Sequence, residues 1–135
     1  MWIPLLGWGL AAMKPIAINR GGGASAINQV VEQGLARLDS GLWVVIFPEG
    51  TRMAAGETRR YGTSGAMLAI EANKKIVPVA HNAGDYWPRR GLLKKRGNIR
   101  VVFGAPIEPV RSDPRATNEK VQAWIEAKVA ELRRS

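Results

Sequence analysis

Cysteine is absent from the 135 residues. Disulfide frameworks, Cys-based zinc sites and thiol chemistry are excluded with it. Histidine occurs once, as His81, so one chain cannot build a multi-histidine metal site. Long hydrophobic runs are missing too. The apolar opening, residues 1–13, falls short of the about 20 residues a membrane-spanning helix needs, and Pro4, Gly7 and Gly9 interrupt it. No basic residue precedes its apolar run, so it makes a poor signal peptide. It reads either as a buried loop and strand lead-in or as an apolar edge that touches lipid; Trp2 and Trp8, two of five tryptophans, suit an interface. There is no internal repeat and no low-complexity linker. Gly21, Gly22 and Gly23 match neither the dinucleotide fingerprint nor a P-loop. Acidic residues are scarce: eleven against twenty Lys and Arg, for a net charge of +9. Such a chain is drawn to polyanions, whether nucleic acid, an anionic membrane or phosphorylated small molecules.

What is present is ordinary for a globular protein, 46% hydrophobic and 23% charged. The length suits one domain, residues 1–135. Residues 15–18 read as a short buried strand broken by the three glycines. A helix follows from about Ser25, a plausible N-cap, with Ile27, Val30, Val31, Leu35 and Leu38 on one face and Gly41 at its stop. Residues 43–47 form a continuous run of β formers, the pattern of a strand covered on both faces. A small-residue helix is expected over 64–73, a third strand over 76–80 and a fourth over 98–104. In the fourth, Ile99, Val101 and Phe103 alternate with Arg100 and Val102. A last helix starts near Thr117 and places Val121, Trp124, Ile125, Val129 and Leu132 together. Alternation of strands and helices predicts an α/β fold, a mostly parallel sheet flanked by helices. Ligands of such sheets sit beyond the carboxyl ends of the strands. That directs attention to residues 19–20, 48–52 and 81–85.

At the second of these rims, Phe47-Pro48-Glu49-Gly50-Thr51-Arg52 delivers a carboxylate, a glycine, a hydroxyl and a guanidinium in one turn. Gly50 lets backbone approach a ligand closely. Arg52 offers a planar fork suited to phosphate, and Thr51 a hydroxyl donor. Glu49 can orient an arginine or accept from a substrate hydroxyl. The residues alone fit equally well an ordinary strand end with a surface Glu–Arg pair.

This hexapeptide, following its apolar strand, closely resembles the third conserved block of the glycerolipid acyltransferases, a family that includes the lysophosphatidic acid acyltransferases. Ile16-Ala17-Ile18-Asn19-Arg20 resembles the second block, with Asn19 where an aspartate is more usual. Val77-Pro78-Val79 resembles the fourth. Trp2-Ile3-Pro4 with Gly7-Trp8-Gly9 is similar to the linker between the first two blocks. The resemblance implies a glycerol-3-phosphate acyltransferase-like fold without a bound cofactor or metal. It also implies acyl transfer from acyl-CoA or acyl carrier protein to the free hydroxyl of lysophosphatidic acid, another lysophospholipid or glycerol phosphate. Arg20 and Arg52 are then expected to hold the acceptor phosphate, with Glu49, Gly50 and Thr51 shaping the same site. A membrane-associated protein at the cytoplasmic face is implied, and nucleic acid is not a favoured partner.

In the family a histidine, four intervening residues and an aspartate form the first block, where the histidine acts as general base. Here His81 and Asp85 are separated by three residues and follow the fourth block. They read as a turn in preference to a catalytic dyad. The sequence therefore reads as an N-terminally truncated domain that supplies acceptor binding but not the base. The other reading is a noncatalytic basic α/β module that binds anionic lipid or nucleic acid.

One stretch remains, residues 86–97. It holds five cations (Arg89, Arg90, Lys94, Lys95 and Arg96), no acid, and the apolar Trp87, Leu92 and Leu93 beside Tyr86. This mixture suits the boundary between anionic headgroups and acyl chains. It also suits single-stranded nucleic acid, where aromatics stack and cations track phosphate. A solvated loop with its apolar members packed inward is the third possibility.

Overall fold

The computed structural model describes residues 12–13, 15–16 and 22–134. Most of the apolar opening, with Trp2 and Trp8, lies outside these residues, as do Ala17, Ile18, Asn19 and Arg20. The chain divides into two compact units, Met1–Val44 and Val45–Ser135.

The described part of the first unit is dominated by helix α1, Ala24–Asp39. It begins one residue before Ser25, with Gly23 at its N-cap position at φ 50°. Ser25 lies inside the first turn, where its Oγ is 3.4 Å from Gln29 Nε2. Val30 and Gly34 are buried and the other apolar positions of the expected face are half-buried. The end follows the glycine rule. Gly41 sits at φ 79°, its N–H donates to Leu38 O (3.0 Å), and the Leu42 N–H donates to Arg37 O (3.0 Å). This pair of bonds satisfies the last carbonyls of the helix.

The second unit packs helix α2, Ser64–Glu71, and a small sheet against a long helix. Helix α2 stops two residues before the expected Asn73, because Asn73, just past the Ala72 C-cap, turns to φ 53°. Its N–H donates to Ile70 O and that of Lys74 to Ala69 O. Strand β1, Val79–His81, is followed by a single helical turn, α3, Ala83–Tyr86, and then by strand β2, Val101–Phe103. The strands pair antiparallel, Val79 with Phe103, Ala80 with Val102 and His81 with Val101. An isolated antiparallel bridge, Ile76 with Ile107, extends the contact. The last helix, α4, spans Pro114–Arg134. It starts three residues before Thr117, because Asp113 Oδ1 accepts from the N–H groups of Arg115 (2.9 Å) and Ala116 (3.2 Å). Proline at the first helical position loses nothing, since that N–H has no intrahelical partner. Thr117 is fully buried instead, its hydroxyl accepting from Val110 N at 2.7 Å.

The core of this unit is made by Tyr61, Ala66, Leu68, Ala69, Pro78, Ala80, Val121 and Leu132. Gly104 lies where Pro78 meets Trp124 of α4, with no room for a side chain: a Cβ there would sit 2.6 Å from the Trp124 ring.

The mostly parallel sheet read from the sequence is not what the described residues form. Their sheet has two strands and is antiparallel. Residues 43–47 belong to no ladder among the described residues. Trp43, Val45 and Phe47 are exposed while Val44 and Ile46 are half-buried, the alternation of a segment covered on one side only. A run of β formers sets the local preference for extension; pairing needs a partner edge, which these residues do not meet among the described residues.

Candidate functional site

The turn that follows residues 43–47 is closed by the Gly50 N–H donating to Phe47 O at 3.0 Å. Gly50 is at φ 67°, left-handed backbone that an L side chain resists. The turn presents Glu49 and Thr51 half-buried and Arg52 exposed. Arg52 Nη2 donates to Trp87 O (3.2 Å), with Pro88 O at 3.5 Å. Among the described residues no carboxylate forms an ion pair with it. An arginine held by a carbonyl keeps its whole charge and most of its five donors for an anion. The surface Glu49–Arg52 pair that the bare hexapeptide permitted is absent among these ion pairs.

Burial pushes the Glu49 carboxyl above the ordinary range, and the negative charge of Glu126 adds to the effect, while Arg59 opposes it. Glu126 stands on α4, far away in sequence, and organises the return of the chain towards the turn. Its Oε1 accepts from Thr58 Oγ1 (2.7 Å) and from the Tyr61 hydroxyl (3.2 Å). Burial, then the Glu126 charge, raise the Tyr61 hydroxyl above its usual value, so it stays a donor. One turn earlier on α4, Gln122 Nε2 donates to Arg59 O (3.2 Å). One turn before that, Asn118 Nδ2 donates to Gly62 O (2.9 Å). The Gly62 N–H in turn donates to Pro48 O (2.8 Å), which fastens the clamped segment to the turn itself. Asn118, Gln122 and Glu126 fall four residues apart on one helical face. Sequence reasoning missed all three, because a polar stripe on an amphipathic helix reads as its solvated side. The only signal was that two of the three are amides with no charge to solvate.

The His81–Asp85 pair does not form. Asp85 Oδ1 meets Arg133 Nε at 3.1 Å. His81 Nδ1 accepts the Ala83 N–H at 3.2 Å. His81 thereby braces the entry to the α3 turn, whose N-cap is Asn82. Asn82, also missed, is buried, and its Oδ1 accepts the Arg100 N–H (2.8 Å), which continues the β1–β2 register by a side chain. A cleft of about 350 Å³ lies beside this turn, lined by Asp85, Lys95, Arg100 and Arg133 among others, and none of Glu49, Gly50, Thr51 and Arg52 lines it. Among the described residues no group of carboxylates and histidine could hold a metal ion. Arg20 is outside the described residues.

Comparison with known proteins gives a consistent result. Residues 1–82 match the family described as Acyltransferase. A 1-acyl-sn-glycerol-3-phosphate acyltransferase of Pseudomonas aeruginosa is 41% identical over 135 residues, 98% of this chain and 52% of that protein. One of Cocos nucifera is 27% identical over 109 residues, 80% of this chain and 35% of that protein. The crystal structure of the 1-acyl-sn-glycerophosphate (LPA) acyltransferase PlsC from Thermotoga maritima superposes with a TM-score of 0.78 at 20% identity. It is covered over 53% of its length by 98% of this chain, a likeness of fold. The chain thus spans about half the length of the Pseudomonas relative and of the solved neighbour.

Proposed function

The chain belongs to the acyltransferase family, and on that premise we propose that it binds the phosphate-bearing acceptor of an acyl transfer. The acceptor is lysophosphatidic acid or glycerol phosphate. Its free hydroxyl attacks the carbonyl of an acyl thioester of coenzyme A or acyl carrier protein. An ester C–O bond forms, the C–S bond breaks, and the hydroxyl proton leaves with the thiol. The observation that carries the reading is Arg52. It is exposed beside Gly50 and Thr51, and it is held in place by backbone carbonyls that leave its charge unspent. The names of the relatives support this substrate class. In this reading the residues present supply acceptor binding and not the general base, since Asp85 pairs with Arg133 and not with His81.

Calorimetric titration with sn-glycerol 3-phosphate and with short-chain lysophosphatidic acid tests the reading. A hydrogen bond to a charged group contributes about 1.5–3 kcal/mol, so Arg52→Ala is expected to weaken binding about tenfold or more. Arg52→Lys should recover little, because the planar fork is lost. Unchanged affinity in Arg52→Ala, or equal affinity for a lysophospholipid whose phosphate is capped by choline, would falsify this assignment. Supplied with thioester and acceptor, the isolated chain is expected to show no turnover, with or without His81→Ala. Turnover that disappears in His81→Ala would make His81 the base.

A further inference from the structure

Residues 87–96 leave the body of the second unit as a loop whose base is fixed and whose tip is apolar. The base is closed by the Lys95 N–H donating to Tyr86 O at 2.8 Å. The Tyr86 ring occupies the space a side chain at Gly97 would need. On the other flank, Arg52 donates to the carbonyl of Trp87, so the loop springs directly from the candidate acceptor turn. At the tip Leu92 is 98% exposed and Leu93 87% exposed. Neither leucine is packed inward, which removes the reading of a solvated loop with its apolar members in the core. Single exposed apolar side chains need no explanation. Two adjacent ones at full exposure, ringed by five cations and no acid, form a patch that does.

We propose that this loop docks the protein on an anionic lipid bilayer. Leu92 and Leu93 enter the boundary of the acyl region, while Arg89, Arg90, Lys94, Lys95 and Arg96 lie among the headgroup phosphates. The charge selects an anionic partner, and none of the five cations has a carboxylate partner among the described residues. The exposed side chains select hydrocarbon over bases. Leucine offers no ring on which a base can stack, and the one aromatic in the loop, Trp87, already has Lys94 Nζ 4.4 Å from its ring centroid. Trp87 at half exposure and the long stems of the cations suit the interfacial layer, where amphipathic side chains settle. A second copy of the same loop is opposed by its own charge. No helix among the described residues is long and apolar enough to cross a membrane. The bilayer surface would then lie beside Arg52, at the depth where a lysophospholipid carries its phosphate.

The test is co-sedimentation of the full chain with vesicles of phosphatidylcholine alone, or with added phosphatidylserine, in the absence of any lysophospholipid. Its failure therefore leaves acceptor binding untouched. The chain is expected to bind the anionic vesicles, to bind the neutral ones poorly, and to be released by salt. Leu92→Ser with Leu93→Ser should weaken binding about tenfold or more from lost apolar burial. Each of Lys94→Gln, Lys95→Gln and Arg96→Gln should cost about fivefold. Thermal unfolding reports that each variant is folded, and these side chains are exposed enough for that to be expected. Four results overturn the proposal: no binding to anionic vesicles, equal binding to both compositions, full binding by the double leucine variant, or release from vesicles by charge-equivalent single-stranded DNA.

Discussion

Glu49 is held where its ionised form is disfavoured, because burial and the nearby Glu126 charge outweigh Arg59. A carboxyl raised in the folded state contributes stability that is fully present below its unfolded value and is lost as pH rises through the folded value. Glu49→Gln removes that titration. The variant is expected to match the parent in urea unfolding at acid pH and to exceed it at neutral pH, while binding acceptor less well. A gain of the same size at both pH values would show that charge is not the cause. At the neighbouring Gly50 the conflict lies in the backbone. A Cβ would meet nothing within 4 Å, so space is not limiting, but φ is 67°. Gly50→Ala should therefore cost about 1–2 kcal/mol of unfolding free energy, and Gly50→Asn less. Equal losses for Ala and Asn would point to a steric cause that the structure does not contain.

The decisive element is α4, whose apolar stripe builds the core while Asn118, Gln122 and Glu126 clamp residues 58–62 behind the turn. Glu126→Ala leaves the buried Tyr61 hydroxyl without its acceptor, a loss of about 1–3 kcal/mol. Glu126→Gln keeps an acceptor and should lose less, and its removal of charge should lower the Glu49 carboxyl towards its ordinary range. Urea unfolding of the pair, with a carboxyl titration followed by NMR, checks both. Three of the helices were legible because apolar periodicity is local, and Gly41 marked its stop because left-handed backbone is a local demand. The start of α4 was legible too, in Asp113 followed by Pro114, but the apolar face drew the boundary to Thr117. Residues 43–47 were not legible as they stand, since strand pairing depends on edges remote in sequence. The same division holds for the site. Glu49, Gly50, Thr51 and Arg52 lie in one hexapeptide and could be read together. The helix residues that fix their surroundings come more than fifty positions later, and nothing in the chain between them records the contact.

Across the second unit, burial is one-sided. On the β1–β2 sheet, Ala80 is buried and Val102 half-buried, while Val79, Val101 and Phe103 share the opposite, exposed face with His81. Phe47 is also open, at 75% exposure, close to the 70% of Phe103. A two-stranded sheet is marginal by itself, and among the described residues the last helix, α4, packs against it. Among the described residues no further strand pairs with its outer edges, and an open edge can template pairing with another chain. Apolar face and open edge together predict self-association that rises with protein concentration and, being hydrophobic in origin, persists in high salt. Vesicle docking through the cationic loop should weaken under the same salt, so ionic strength separates the two behaviours. Sedimentation velocity across a concentration series at low and high salt reads the first. Phe103→Lys places a charge on the exposed face without disturbing the buried Ala80 side, and it should shift the chain towards monomer with its helix content unchanged. A chain that remains monomeric throughout the series, or a Phe103→Lys variant that associates as the parent does, would show that this face is not what brings the copies together.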